Sequence, residues 1–202
     1  VEEVGVPGDT AYHHGSLPQV LIEVSLDLIA ESGLESFSLA RAAKAAGVSV
    51  AAPYRHFANK AALLGAIARS GFEELGATLR TAADQYPDDP VESLLEQGSA
   101  YIGFVVSRPA LASVMFSTRG RDPQSNAGLA ALAVLGETLA RLERDGRLAV
   151  PLDTALRATW ALVHGLAMLH TGGMRTISEE DAPVLRMQVL RPLLDGGLLA
   201  AP

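Results

Sequence analysis

Residues 36–60 read S-F-S-L-A-R-A-A-K-A-A-G-V-S-V-A-A-P-Y-R-H-F-A-N-K, a pattern of two short helices joined by a tight turn at Gly47. Glycine enters the positive-φ region such a turn requires without steric cost, and Val48 is placed to lock the two helices through the core. Ser38 is positioned to cap the first helix, which ends near Ala46, and Leu39, Ala42 and Ala43 face inward. Ser49 is positioned to cap the second, Val50 to Phe57. The charged residues of the stretch, Arg41, Lys44, Arg55 and Lys60, are all basic, although the whole chain carries 16 basic against 23 acidic residues. A locally basic element on an acidic protein points to a polyanion partner.

Outward from this stretch, the composition is that of a globular chain. Its 202 residues suffice for one or two domains, and 49% hydrophobic content suffices for a core. With no cysteine, a disulfide framework, a thiol nucleophile and a Cys-ligated zinc site are excluded, which fits a cytoplasmic location. A net charge of −7 confines any nucleic-acid contact to a local surface. The longest uncharged run, Ala158 to Met174, contains His164, Gly165 and His170 and falls short of a bilayer span, so no membrane association is expected. Val1 to Ala11 holds Glu2, Glu3 and Asp9 without a basic residue, unlike a signal or transit peptide, and reads as a flexible arm.

Apolar residues recur at three- and four-residue steps throughout and no segment alternates with period two, so the fold class is all-α, with about nine helices. Ser16 and Pro18 open a first helix with Leu17, Leu21, Val24 and Leu28 on one face, and Gly33 stops it. Asn59 caps a long helix running through Leu63, Leu64 and Ile67. Further helices are expected over Val91–Val106, up to Phe116, over Asn126–Glu143, from Asp153 to His170 and over Glu179–Leu194. The expected division is an arm at 1–11, a helix-turn-helix domain at 12–72 and a larger helical ligand-binding and dimerisation domain at 73–202.

A helix-turn-helix needs a small residue at the turn, a second helix that enters the major groove, and flanking donors for phosphates. Here Val50, Ala51 and Ala52 stand where base edges would be met, and Tyr54, Arg55 and His56 lie towards the backbone with Lys60 beyond. At this point the residues G-V-S-x-x-x-x-Y-R-H-F-x-x-K-x-x-L-L resemble the DNA-binding signature of the tetracycline-repressor (TetR/AcrR) family. The likeness extends back through Phe37-Ser38-Leu39 and Gly33 to Tyr12-His13-His14-Gly15. It implies that Tyr54, His56 and Lys60 hold phosphates, that Val50, Ala51 and Ala52 sit over bases and that Phe57 is core. The candidate DNA-binding set is His13, His14, Ser38, Arg41, Ser49, Val50, Ala51, Ala52, Tyr54, Arg55, His56 and Lys60. Base-facing valine and alanine offer only van der Waals contact, so specificity is expected to lean on Ser49, Tyr54, Arg55, the histidines and DNA shape.

The stretch Trp160-Ala-Leu-Val-His164-Gly165 resembles the Trp-x-x-x-His-Gly signature of the C-terminal domain in a subset of that family. Trp160, His164 and Met168 share one helix face and Leu162, Leu166 and Leu169 another, so both faces need covering. The resemblance implies a small-molecule site on one side and a homodimer through the last two helices on the other. Candidate ligand-binding residues are Tyr101, Phe104, Met115, Phe116, Trp160, His164 and Met168, and the scarcity of charge favours an apolar, neutral effector. The function expected is a ligand-responsive regulator, a repressor, that binds a near-palindromic double-stranded DNA operator.

Two other classes stand beside it. Gly47-Val-Ser49-Val-Ala51 is one residue from a G-x-S-x-G hydrolase elbow with Ser49 as nucleophile, but that motif follows a strand and a helix is expected there. A ligand-binding or assembly module without specific DNA binding is the other. His164 and His170, six apart, project on different faces and make poor joint metal ligands, so neither a metal nor a cofactor is expected.

Overall fold

Leu21, Ser25 and Ile29, four residues apart, form the buried stripe of the first helix, α1, Leu17–Ser36. The computed structural model describes residues 16–120, 125–173 and 190–199. Pro18 lies in the first turn of α1, where its missing N–H is harmless. The Ser16 hydroxyl, expected to cap α1, does not do so; the Ser16 carbonyl accepts instead, from the Gln19 and Val20 N–H groups at 2.9 and 3.2 Å. Gly33, at φ 78° and ψ 158°, kinks the last turn away from the helix.

Helix α2, Leu39–Ala45, opens as expected, with Ser38 Oγ accepting from the Arg41 N–H at 3.3 Å. It closes at Gly47, whose φ of 69° turns the chain. The Gly47 N–H donates to the Lys44 carbonyl at 3.2 Å and the Val48 N–H to the Ala43 carbonyl at 3.0 Å, which satisfies two of the carbonyls a helix end leaves open.

The expected helix from Val50 to Phe57 is instead a loose turn followed by a single 3-10 turn, Pro53–Arg55. Pro53 has no N–H to give, and the Ser49 carbonyl takes the Ala52 N–H at 2.9 Å. The Arg55 and His56 N–H groups then reach back three residues, to Ala52 and Pro53. Ser49 therefore opens the turn through its carbonyl, not as a side-chain cap. Pro53 stands at the first position of the 3-10 turn and its ring is fully buried, which pegs the turn to the core.

Helix α3, Lys60–Asp84, is capped by Asn59 Oδ1 on the Ala62 N–H at 2.9 Å, and its 25 residues extend about 37 Å. Helix α4, Pro90–Ser107, is capped by Asp89, and α5, Pro109–Met115, follows at once. Helices α6, Ala127–Arg144, and α7, Leu152–Thr171, complete the described bundle. Helix α3 packs against α4, α5 and α6, while α7 closes over α4 and α6 and α1 rests on α5. At Gly71 α3 and α5 approach so closely that a Cβ would stand 2.6 Å from Met115 Sδ.

A short segment, Arg191–Leu193 continuing into Leu194–Leu198, is tied to α4 by the Arg191–Glu92 ion pair at 2.5 Å. Most of the expected helix Glu179–Leu194 lies outside the described residues, as does the whole of the expected arm. Among the described residues the fold is all-α, without a strand beyond one isolated bridge between Leu148 and Leu199. No described helix is long and apolar enough to cross a membrane.

Candidate nucleic-acid interface and interior cavity

The turn between Gly47 and Asn59 presents Ser49, Val50, Ala51, Tyr54, Arg55 and His56 on the exposed surface, with Ala52 half-buried. Val50 and Tyr54 keep 57% and 54% of their surface open, so the turn offers an aliphatic and an aromatic side chain beside its basic ones. Phe57 is half-buried against the core. His13 and His14 lie outside the described residues.

Arg41 and Lys60, grouped by sequence with the phosphate contacts, have a second task. Lys60 Nζ donates to the Phe37 carbonyl at 2.5 Å and reaches the Leu34 carbonyl at 3.4 Å, 5.4 Å from the centre of the Phe37 ring. The Arg41 guanidinium donates to Ser32 Oγ at 3.0 Å and to the Ser36 carbonyl at 3.1 Å. Both cations thus cover the carbonyl end of α1, where a helix carries partial negative charge. Ser38 is likewise occupied as a cap. Tyr54, Arg55 and His56, placed towards the DNA backbone by the sequence, are all exposed.

Behind the head, α3, α4, α5, α6 and α7 line a cavity of about 680 Å3, with the exposed Leu129 and Trp160 among the residues that line it. This is within the size range of small-molecule sites. Its wall is largely apolar, with Phe72, Leu75, Leu132, Leu135, Met115 and Phe116 prominent. Of the residues expected to touch ligand, Tyr101, Met115, Phe116 and Trp160 line it. Phe104 does not: it is buried elsewhere, with the Arg108 guanidinium 4.6 Å from its ring centre. Met168 also lies outside the wall, packed on the core.

His164 stands one layer behind the wall. Its ring stacks on Trp160 at 5.6 Å, meets the edge of Phe116 at 4.6 Å, and places Nδ1 2.9 Å from the Tyr101 hydroxyl. Burial pushes the Tyr101 phenol up to about 12, partly offset by Trp160, and burial lowers the His164 imidazole below its ordinary value. A protonated phenol facing a neutral imidazole is the arrangement in which Tyr101 donates and His164 Nδ1 accepts. The pair satisfies itself and keeps that side of the wall uncharged.

Sequence reasoning missed Gln97 and Thr159, both buried and both in the wall. A signal was present: Gln97 interrupts the apolar stripe Leu94, Tyr101, Phe104 of α4, and Thr159 interrupts Ala155, Val163, Ala167 of α7. Also missed was the link between cavity and head. Ser117, Thr118 and Gly120 line the cavity, and Arg119 between them pairs with Glu35 on α1. No group of three or more His, Asp or Glu side chains suited to a metal occurs among the described residues.

A turn-linked pair of small helical elements carrying exposed basic and aromatic residues, joined by one long helix to a larger helical domain, is the architecture of a helix-turn-helix DNA reader. Residues 21–67 match the bacterial regulatory proteins of the tetR family, and residues 94–191 match the tetracyclin repressor-like C-terminal domain. The chain belongs to the TetR family and is a DNA-binding transcription regulator, not an enzyme. No curated protein matches it. A solved protein of unknown function from Rhodococcus sp. RHA1 is 27% identical, with a TM-score of 0.75 over 91% of this chain and 98% of that one. The TetR family transcriptional regulator PfmR from Thermus thermophilus shares the fold at 22% identity and a TM-score of 0.69, covering 93% and 100% of the two chains. The fatty acid degradation regulator FadR from Bacillus halodurans does so at 19% and 0.67, covering 88% and 98%.

Proposed function

We propose that the chain is a homodimeric repressor that holds a near-palindromic operator and is released from it by a small, largely apolar effector. The observation that carries this reading is the path of α3. Its first residue, Lys60, braces the reading head, and Gly65, Ala68, Phe72, Leu75 and Leu79 further along the same helix wall the cavity. A ligand that fills the cavity and favours one setting of α3 thereby favours one setting of the head. The Arg119–Glu35 pair is a second connection between the same two places.

In this reading residues 12–72 form the DNA-binding domain, preceded by an arm at 1–11, and residues 73–202 form the effector and dimerisation domain. Tyr54, Arg55 and His56 grip phosphates, while Val50, Ala51 and Ala52 pack on base edges, with thymine methyls as their natural partners. His13 and His14, at the start of that domain, also meet the DNA. The face of α7 that carries Leu162, Leu166 and Leu169, with Leu169 47% exposed, forms the twofold interface together with the last helix expected from the sequence. The two heads then meet successive major grooves roughly 34–36 Å apart.

The test is a titration of the chain against a duplex taken from upstream of its own gene, at several salt concentrations. Binding is expected to exceed that of a random duplex and to weaken steeply with salt, as phosphate contacts require. No preference over random duplex would overturn the operator assignment. A reporter behind that duplex, active without the protein and silent with it, establishes the repressing sign.

A further inference from the structure

Two side-chain atoms in the cavity wall lack a hydrogen-bond partner among the described residues. Gln97 is 1% exposed, and its Oε1 is buried without a donor; Thr159 is 6% exposed, and its hydroxyl is buried without any partner. They stand on α4 and α7, which pack against each other, and both residues line the cavity. Buried polar atoms in native proteins are nearly always paired, so two orphans in the wall of one cavity call for an occupant.

The orientation of the Gln97 amide says what kind. Its Nε2 donates to the Val134 carbonyl at 3.4 Å. The reversed amide would set oxygen against oxygen there, so the free atom is the acceptor. Thr159 can donate or accept. The other polar pair of this region, Tyr101 and His164, already satisfies itself. Among the described residues the wall contains no carboxylate, and its one charged residue, Arg69, is exposed and engaged with the protein. An anionic group placed at Gln97 would face an acceptor, and a cation would find no counter-charge.

Resting on the reading of this cavity as the effector site, we propose that the effector is an uncharged, mostly apolar molecule carrying a hydroxyl or N–H group. Gln97 Oε1 accepts its hydrogen, and the Thr159 hydroxyl serves the oxygen of a hydroxyl ligand. The apolar body lies against Phe72, Leu75, Leu132 and Leu135. An acyl carboxylate, a phosphate ester and an alkylammonium are the wrong classes for this end of the site.

The chain supplies its own reporter, because Trp160 is the single tryptophan and lines the cavity. The full chain is titrated with 1-decanol, its methyl ether and decanoate while Trp160 emission is followed. The alcohol is expected to bind roughly tenfold more tightly than the ether, the worth of about one buried hydrogen bond, and more tightly than decanoate. In Gln97→Met the advantage of alcohol over ether shrinks below about threefold while the ether binds at least as well as to the unaltered chain, and in a second variant, Thr159→Val, alcohol and ether weaken together. Retained ether binding shows that Gln97→Met folds with the cavity intact. Equal binding of alcohol and ether, tighter binding of decanoate, or an alcohol preference that survives Gln97→Met overturns the proposal and assigns the two atoms to ordered water. Failure of all three probes to bind overturns it together with the reading of the cavity as an effector site, whereas equal binding leaves that reading standing.

Discussion

In the reading head, Arg41 and Lys60 give their donors to the carbonyls of Ser36, Leu34 and Phe37, whereas in the cavity wall Gln97 Oε1 and Thr159 Oγ1 have no partner among the described residues. The difference separates two uses of a polar group in one small protein. A polar atom satisfied from within sets shape: Lys60 fixes where α1 ends and so how the head presents Tyr54. A polar atom left unsatisfied sets recognition, because its stability cost is recovered when a partner of the right chemistry arrives.

The sharpest way to break this contrast is Lys60→Met. If Lys60 is a brace, the variant loses about 1.5–3 kcal/mol of unfolding free energy in urea, the range for hydrogen bonds to charged groups. Unchanged stability with weaker operator binding would make it a phosphate contact only. Gly47→Ala forces a side chain into the left-handed region, at a φ of 69°, and is expected to cost about 1–2 kcal/mol in the same assay. In the cavity the sign reverses. Thr159→Val removes a buried unpaired hydroxyl and should raise the stability of the ligand-free chain by about 1 kcal/mol. A loss there would mean that the hydroxyl is paired in solution.

Arg119→Ala breaks an exposed ion pair and should change stability by less than about 1 kcal/mol. It should nevertheless reduce the effect of effector on operator affinity; an unaltered effector response would remove this pair from the coupling. The smallest expected effect is one of pH. Burial holds the His164 imidazole below its ordinary value of 6.5, so the neutral ring contributes stability that is complete above that pH and lost as pH falls towards the folded-state value. His164→Gln should flatten that acidic limb in thermal melts, and an identical limb would assign it to other groups.

What could be read from the sequence follows from how local each feature is. The caps at Ser38 and Asn59 and the turn at Gly47 each depend on a few adjacent residues, and each is present. The second element of the head was less legible, because Pro53 acts twice: it withholds a donor from the Ser49 carbonyl and buries its ring, and only the first effect shows in a one-dimensional pattern. Lys60 was read as a surface charge because its partners lie 23 and 26 residues back along the chain. The cavity was legible only in part. Helical periodicity shows which face of α4 turns inward, but not that α3, α6 and α7 leave space in front of it. Phe104 and Met168 therefore entered the ligand set on the same grounds as Tyr101 and Trp160, while Gln97 and Thr159 were passed over as polar.

The buried ring of Pro53 has a consequence for how such a protein changes over time. The turn is pegged by its proline, its backbone bonds and Phe57, while Val50 and Ala51 beside it are exposed. Substitutions at those positions can alter the surface offered to a groove without disturbing the fold beneath. On the proposed docking the head is a fixed socket with interchangeable tips, and single changes at Val50 or Ala51 are expected to shift operator preference in a chain that stays folded.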